Sequence, residues 1–139
     1  MSLDVALVSP ERILYTGEAE MVVCRTPEGE IAFLTGHAPF VGTLEVAPVR
    51  VILTDGAEVK AAVHGGFVEV RDNKVSVLSD VAELPEQIDV ERARKALGEA
   101  ERGGADTDRG DSEKAEHDRT DFERAIRRAK LRLEVAGEK

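Results

Sequence analysis

Apolar and polar residues alternate through the first half of the chain, as they do in strands that bury one face. Short runs of this kind are separated by Gly, Pro, Asp or Asn, and Asp72-Asn73 is the clearest hairpin turn. The pattern predicts strands at about residues 3–8, 19–25, 31–34, 49–53, 59–63, 67–70 and 75–78. Because no helical segment separates them, residues 1–84 are predicted to form an antiparallel β-sandwich.

After Pro85 the apolar spacing changes to that of amphipathic helices. One stripe consists of Ile88, Ala93, Ala96, Leu97 and Ala100. A second stripe consists of Phe122, Ile126, Ala129, Leu133 and Ala136. Asp89 is placed to cap the first helix, and Thr120 with Glu123 forms a capping box for the second, with an earlier start near Ser112 as the alternative. Residues 85–139 are therefore predicted to form an antiparallel two-helix hairpin.

The segment that joins the two helices is strongly acidic. From Glu99 to Glu123 there are ten acids and four bases, and Gly103, Gly104 and Gly110 are expected to break helical continuity. The composition predicts a loop at about residues 103–113, which is either a solvated flexible loop or an acidic contact surface.

The charge then reverses on the second helix. Five cations follow one another with no acid among them: Arg124, Arg127, Arg128, Lys130 and Arg132. They form either a solvated helix face, with cations complementing the helix C-terminus, or a surface that docks onto an acidic partner.

The composition excludes several classes of protein. The 139 residues carry a net charge of −9 and no Trp, which argues against binding to a nucleic-acid backbone or stacking on its bases. The apolar content of 42% is enough for a modest core. Cys24 is the one cysteine, so no internal disulfide is expected. With no leader pattern or long apolar run, the sequence predicts a cytosolic protein that reaches a membrane only through a partner.

The sequence offers little catalytic chemistry. His37, His64 and His117 have no metal-ligand spacing with one another or with Cys24, so no metal site is predicted. Gly65-Gly66 lacks the ending of a phosphate-binding loop, and no nucleophile motif is present. Cys24 lies in an alternating strand and is predicted to be a buried structural thiol. The chain is therefore not expected to be an enzyme on its own.

Three motifs of the first half join turn residues to apolar strands: Thr26-Pro27-Glu28-Gly29-Glu30, Gly36-His37-Ala38-Pro39 and Gly65-Gly66-Phe67-Val68-Glu69-Val70. They are followed by Ile88-Asp89-Val90-Glu91-Arg92-Ala93 and a basic terminal helix. In this order the motifs resemble the epsilon subunit of bacterial F-type ATP synthase, over about residues 3–136. The Gly65-Gly66 pair is expected to allow a bulge or a close approach of strands.

The resemblance implies a noncatalytic central-stalk subunit that couples proton flow to ATP synthesis and restrains ATP hydrolysis through its C-terminal helices. Its implied partners are the gamma subunit of the stalk, the membrane rotor ring of c subunits and the catalytic beta subunits. The implied location is the cytoplasmic face of the bacterial cell membrane, peripherally, within the complex. Glu30 and His37 match residues that face the rotor ring, while the basic residues of the second helix match an inhibitory face. Locally, Glu30 can equally be an exposed acid, and His37 a loop histidine bonded to nearby backbone.

The resemblance also implies a regulatory ATP site at Glu83, Ile88, Asp89, Arg92, Ala93, Arg128 and Arg132. Asp89 can instead be a simple helix cap. Where ATP-binding members carry a further arginine, this chain has Glu99. Losing one charged donor costs about 1.5 to 3 kcal/mol, or roughly ten- to a hundredfold in affinity. ATP binding is therefore expected to be weak, at about millimolar affinity, or absent, and no cofactor is required.

Two other functions remain open from the residues alone. One is a free-standing nucleotide sensor that uses Arg92, Arg128 and Arg132, and the other is a small β-domain adaptor whose helices recruit an acidic partner. Copurification with a coiled-coil stalk separates these from the rotor subunit.

Overall fold

The computed structural model describes residues 2–106 and 113–137, with side-chain environments for residues 2–102, 121 and 123–137. Strands precede a 3-10 turn at Pro85–Gln87 and two helices, α1 (Val90–Asp106) and α2 (Glu113–Val135). The strands are β1 (Leu3–Val8), β2 (Ile13–Ala19), β3 (Met21–Thr26), β4 (Gly29–Leu34), β5 (Phe40–Ile52), β6 (Glu58–Arg71), β7 (Lys74–Leu78) and β8 (Ala82–Glu83). The chain divides into two compact units, Met1–Pro85 and Glu86–Lys139, which we call the sandwich unit and the helical unit.

The strands are joined in the order β2-β1-β7-β6-β5-β3-β4, with β8 on β6. All pairs are antiparallel except β1 with β7, which run parallel. The predicted sandwich is thus confirmed, but the expectation of antiparallel pairing throughout is wrong for this one pair. Because β1 and β7 are far apart in the chain, no hairpin fixes their relative direction.

The two long strands, β5 and β6, take part in both layers of the sandwich. Residues 67–71 of β6 pair with β7, while residues 62–63 pair with β8. In β5, residues 50–52 pair with β3, whereas residues 40–44 pair with residues 66–70 of β6. We call β2, β1, β7 and the adjoining parts of β6 and β5 layer A, and the remaining strands layer B. The two layers share one core, which includes Leu3, Val68 and Val75 from layer A and Val22, Cys24 and Phe33 from layer B.

Strand β6 passes from layer B to layer A at Gly65-Gly66. Both glycines have positive φ, 85° and 138°, which a residue with a Cβ rarely adopts. A Cβ on Gly66 would clash with the carbonyl oxygen of Leu78. The buried Ser79 hydroxyl donates a 2.6 Å hydrogen bond to the Gly65 carbonyl oxygen and holds the crossing in place. The predicted close approach of strands at this motif is confirmed.

Several predicted strand boundaries are corrected. Strand β2 was not predicted, because Ile13 and Thr16 are exposed and Leu14 and Tyr15 half-buried, so its seven residues do not alternate cleanly. Ala19, predicted to begin the next strand, is the last residue of β2. The predicted runs at 59–63 and 67–70 form one strand, because Gly65-Gly66 bends β6 without ending it. The first half of β5 and the short β8 were also missed.

The helical unit begins with the predicted cap. The Asp89 carboxylate accepts a 3.1 Å hydrogen bond from the backbone N–H of Arg92, three residues into the first turn. Helix α1 then continues to Asp106 through Gly103 and Gly104, so the predicted interruption at these glycines is wrong. Each glycine costs about 1 kcal/mol relative to Ala, which a helix packed on a neighbour can tolerate. The remainder of the predicted loop, residues 107–112, lies outside the described residues.

Helix α2 begins earlier than the capping box suggested. Its first residue is Glu113, so Thr120 lies inside the helix and the alternative start near Ser112 is the better prediction. On the predicted stripe, Ala129 is buried and Leu133 half-buried, while the side chain of Phe122 lies outside the described ones. Leu131 and Val135 are also buried, at 4% and 5% exposed, although the periodicity did not predict them. Leu131 lies about 200° from Ala129 around the helix, so the last turns are covered on two sides.

Candidate functional site

The outer face of layer A carries an apolar row that crosses four strands. Ile13 on β2 pairs with Val8 on β1, Val8 pairs with Leu78 on β7, and Leu78 pairs with Phe67 on β6. Directly paired residues point to the same face of a sheet. Val8 is half-buried, while Ile13, Leu78 and Phe67 are 66%, 45% and 56% exposed. We call these four residues the apolar row.

A cleft lies beside the apolar row at the point where β6 changes layer. It has a volume of about 220 Å³ and is lined by Val8, Ser9, Pro10, Gly66, Phe67, Leu78, Ser79 and Asp80. The absence of a side chain on Gly66 brings the Leu78 carbonyl close to β6 and leaves Phe67 and Leu78 at the rim. The cleft and the row together form a continuous apolar surface of the kind that soluble proteins use for docking.

The same face becomes charged towards its other end. The next row on this face starts two residues along β1, β7 and β6, at Ala6, Ser76 and Glu69. It continues to Thr16 on β2, three residues from Ile13 because the register shifts there, and to Val41 on β5. Beyond it, Glu18 pairs with Asp4, Asp4 with Lys74 and Lys74 with Arg71. The outer face of layer A therefore has one apolar end and one charged end.

The loop after β4 carries His37 at the charged end of the sandwich. The His37 ring lies 5.0 Å from the ring of the buried Phe33 and 6.4 Å from that of Phe40, edge-on to both. Its Nδ1 lies 2.7 Å from the Ala38 carbonyl oxygen, and its backbone N–H donates to the Leu34 carbonyl oxygen at 3.1 Å. His37 thus has the local backbone contacts that the sequence allowed as an alternative, and it is also half-exposed. A ring-facing role for it stays a prediction.

Glu30 does not lie near His37. It is exposed at the start of β4, opposite Arg25 on β3, whereas His37 follows the other end of the strand. The four steps along the strand from Glu30 to Leu34 alone span roughly 13 Å at the rise of a β-strand. A common partner of Glu30 and His37 must therefore contact two separate places on the sandwich unit.

The residues predicted to bind ATP are divided between the two units. Glu83 belongs to the sandwich unit, and the others belong to the helical unit. Ile88 and Ala93 are buried, whereas Arg92 is exposed on the first turn of α1. On α2, Arg128 is exposed and Arg132 half-buried, one turn apart. The Asp89 carboxylate caps α1, as the sequence allowed, and nothing in the described residues tests ATP binding.

Glu83 has a close neighbour that the sequence reasoning did not identify. Its Oε1 lies 3.0 Å from Nε2 of His64, whose side chain is 0% exposed. Strand β8 places the two residues together, because Ala62 pairs with Glu83 and the His64 N–H donates to the Val81 carbonyl oxygen. Since the two residues are 19 positions apart, only the pairing of β8 with β6 could have revealed the contact.

The predicted basic face of α2 extends over the described turns. Arg124, Arg127, Arg128 and Lys130 are exposed. At 100° per residue the five cations cover about 200° of the helix circumference, which is more than one face. The buried Leu131 lies in the same sector as Arg124 and Arg127, so the basic surface is interrupted where the helix approaches its C-terminal turns.

Cys24 is the one cysteine of the sequence and lies in β3. Cys24 is buried, as predicted, and burial raises the pKa of its thiol to about 12. Among the described residues there is no group of His, Cys, Asp or Glu arranged to hold a metal ion. No described helix is both long and apolar enough to cross a membrane.

Comparison with protein families gives one match over most of the sandwich unit. Residues 2–85 match the model of the ATP synthase, Delta/Epsilon chain, beta-sandwich domain. An ATP synthase epsilon chain of Shouchella clausii is 44% identical over 139 residues, covering 99% of this chain and 97% of its own. An ATP synthase epsilon chain of Thermobifida fusca is 52% identical over 105 residues, covering 72% and 75% of the two chains.

Two solved structures resemble the whole chain. A chain of the Euglena gracilis mitochondrial ATP synthase, OSCP/F1/c-ring, matches with a TM-score of 0.79 and 26% identity, over 99% of this chain and 82% of that one. A chain of the Tetrahymena thermophila mitochondrial ATP synthase central stalk and c-ring matches with a TM-score of 0.60 and 14% identity, over 98% and 97% of the two chains. The second likeness concerns the fold alone.

Proposed function

This chain belongs to the ATP synthase delta/epsilon chain family, and from that premise we propose how its surfaces are used in the complex. It is a noncatalytic rotor subunit of F-type ATP synthase. The outer face of layer A docks on the gamma subunit of the central stalk, and the loops at its charged end face the ring of c subunits. The helical unit restrains ATP hydrolysis through its contacts with the catalytic subunits. The subunit is held peripherally at the cytoplasmic face of the cell membrane by these partners.

The apolar row is the observation that carries the docking proposal. Ile13, Leu78 and Phe67 expose about half or more of their side chains on neighbouring strands, beside an apolar cleft. A row of this size on a sheet face is covered in a working assembly, because exposed apolar area costs roughly 25 cal/mol per Å² relative to burial. Aromatic and other apolar side chains are enriched at the cores of protein interfaces, so a stalk partner is expected to cover this row with side chains of that kind.

The charged end of layer A favours a different kind of partner. Asp4, Glu18, Arg71 and Lys74 lie in one row, close to the hairpin at Asp72-Asn73. Polar loops of a rotor ring suit a surface of this kind, where contacts fix orientation more than they add affinity. We assign His37 to this contact with the rotor ring. We assign Glu30 to a second contact with the ring, at the opposite end of β4.

Replacing an exposed residue of the apolar row tests the docking proposal. Phe67→Ser should weaken binding of the full chain to the gamma subunit about thirtyfold or more, because a central aromatic residue of an interface contributes at least about 2 kcal/mol. Leu34→Ser is the matched control, since Leu34 is 48% exposed but lies on β4 in layer B. Binding is measured by titration calorimetry. Equal affinities of Phe67→Ser and the unmodified chain would contradict docking through the apolar row.

We attribute the restraint of hydrolysis to the exposed cations of α2. Arg124 and Arg127 are exposed, and an acidic partner surface attracts such a helix once it lies within a Debye length of about 8 Å. Replacing both with Gln should raise ATP hydrolysis by the assembled enzyme at low salt while leaving ATP synthesis intact. Lys95→Gln with Arg102→Gln is the matched control, because these exposed cations lie on α1. Unaltered hydrolysis in the α2 variant would contradict the inhibitory role.

We propose that nucleotide binding is weak, for reasons that lie in the same residues. The Asp89 carboxylate is engaged by the N–H of Arg92, and the Glu83 carboxylate by the buried His64. Glu99 is exposed on α1, where it adds a negative charge that repels a polyphosphate. The expected affinity is about millimolar, near −4 kcal/mol, and Glu99→Arg should tighten it. Micromolar binding of ATP by the unmodified chain in calorimetry would contradict this proposal.

A further inference from the structure

We propose that Asn73 is a positioning residue that anchors the His37 loop, which joins β4 to β5, to the β6–β7 hairpin of layer A. The Asn73 side-chain oxygen accepts a 2.8 Å hydrogen bond from the backbone N–H of Gly36, 37 positions away in the chain. The effect of this bond on the complex rests on the proposed contact of His37 with the rotor ring. The structural part of the proposal does not rest on that contact, because it concerns the folded chain alone.

Asn73 is suited to this task by its place in the β6–β7 hairpin. Asp72 and Asn73 have φ values of 51° and 61°, the left-handed pair of a tight hairpin turn, which Asn adopts more easily than most residues. The Asn73 backbone carbonyl oxygen accepts a 2.8 Å hydrogen bond from the N–H of Asp4 at the start of β1. One residue therefore contacts β1 through its backbone and the His37 loop through its side chain.

The bond contacts the His37 loop at Gly36, the residue whose backbone conformation determines the direction of the loop. Gly36 has a φ of 82°, and the next N–H, that of His37, closes a turn onto the Leu34 carbonyl oxygen. The His37 ring then packs edge-on to Phe33 and Phe40. Fixing the Gly36 amide therefore fixes the turn, and the turn fixes where the His37 ring lies.

The two ends of this bond belong to different parts of the sheet. β7 and β4 are separated by β6, β5 and β3 in the strand order, so the bond closes the end of the sandwich from one layer to the other. Asn73 lies at the charged end of layer A, and the His37 loop runs from β4 of layer B into β5, whose first residues pair with β6 in layer A. The Asn73–Gly36 bond thus ties the loop that carries His37 to the hairpin at the charged end of layer A, within the surface that we propose faces the rotor ring.

Two substitutions at the same position separate the side-chain bond from the turn. Asn73→Gly keeps the left-handed backbone but removes the acceptor, whereas Asn73→Asp keeps an acceptor oxygen and serves as the matched control. In the full chain, Asn73→Gly should speed amide hydrogen exchange at Gly36 and His37 about tenfold and shift the His37 ring signals in NMR spectra. Asn73→Asp should leave both measurements as in the unmodified chain. Unchanged exchange and unchanged His37 signals in Asn73→Gly would overturn the positioning role.

The assembled enzyme tests the consequence. With Asn73→Gly, the number of protons pumped per ATP hydrolysed should fall by about a factor of two or more. The control variant Asn73→Asp should pump as many protons per ATP as the unmodified enzyme. If the loop loosens but pumping is unchanged, while His37→Ala lowers pumping, the coupling role of Asn73 is overturned. If His37→Ala is also without effect, the proposed ring contact is what fails, and the role of Asn73 in coupling falls with it.

Discussion

The two units of the chain differ in the size of the side chains that they bury. The sandwich unit buries large side chains from both layers, including Phe33, Leu3 and Leu7, at 1% exposure or less. In the helical unit several of the buried residues are alanines, namely Ala93, Ala100 and Ala129. Because burial contributes about 0.8 kcal/mol per CH₂ group, the sandwich unit has the larger reserve of stability. Rigid docking surfaces are expected in the first unit and adjustable ones in the second.

The largest expected effect comes from truncating the core of the sandwich unit. Phe33→Ala should lower the free energy of unfolding by about 3–5 kcal/mol, since the site is fully buried and cannot collapse completely. It should also release the His37 ring, which packs on Phe33 at 5.0 Å. Chemical denaturation followed by circular dichroism measures the loss.

Leu131→Ala is the counterpart in the helical unit. Amide exchange should become faster in α1 and α2 while the strands of the sandwich unit keep their protection, because the sandwich core does not include Leu131. Loss of protection in β6 and β7 as well would show that the sandwich unit is not self-sufficient, and the contrast between the units would fail.

Replacing one glycine by alanine in each unit should change the stability in opposite directions. Gly66→Ala should cost about 2–4 kcal/mol, because the new Cβ meets the Leu78 carbonyl oxygen at a left-handed φ. Gly98→Ala in α1 should stabilise the helix by about 0.5–1 kcal/mol, since the nearest atom to its Cβ is the Arg102 side chain at 3.6 Å. Thermal denaturation of both variants gives the comparison. A tolerated Gly66→Ala would contradict the tight crossing of β6.

A smaller effect is expected at the start of α1. Asp89→Ala should destabilise the helical unit by about 1 kcal/mol through loss of the cap, and Asp89→Ser should recover most of it. Helical content measured by circular dichroism against temperature reports the change. If Asp89→Ser fails to recover the helix, the hydrogen bond to the Arg92 amide is not what makes Asp89 stabilising.

The smallest expected effect is an exposed ion pair of the sandwich unit. Arg50 donates a 2.6 Å hydrogen bond to Glu58, which lowers the pKa of that carboxyl group. A lowered pKa stabilises the folded state above the unfolded pKa of about 4.3 and loses its effect as pH falls through the folded value. Glu58→Gln should therefore cost about 0.2–1 kcal/mol at pH 7 and nothing in strong acid. A cost that persists at low pH would point to packing instead.

The local sequence pattern was sufficient to predict an element where one of its faces is buried and the other is exposed. Strand β1 was predicted with its observed ends, because Leu3, Val5 and Leu7 are buried and alternate with more exposed residues. The edge strand β2 was missed because Ile13, an apolar residue, is exposed. The start of α2 was placed too late because the capping signal at Thr120 is local, whereas helix length also depends on packing against α1.

Contacts between distant residues set the limit for the candidate sites. The cap at Asp89 spans three positions and could be predicted, whereas the contact of His64 with Glu83 spans 19 and that of Asn73 with Gly36 spans 37. The apolar row was also invisible in the sequence, because Phe67 and Leu78 become neighbours only through the register of β6 with β7. Strand pairing thus carries the information that periodicity lacks.

The buried thiol of Cys24 has a practical consequence for watching this subunit at work. Burial raises the pKa of this thiol to about 12, so very little of it is ionised at pH 8, and the thiolate is the form that maleimide and iodoacetamide reagents attack. A new cysteine placed on an exposed turn should therefore take up a fluorophore while Cys24 stays unlabelled. This chain is therefore suited to single-site dye attachment without first removing its own cysteine.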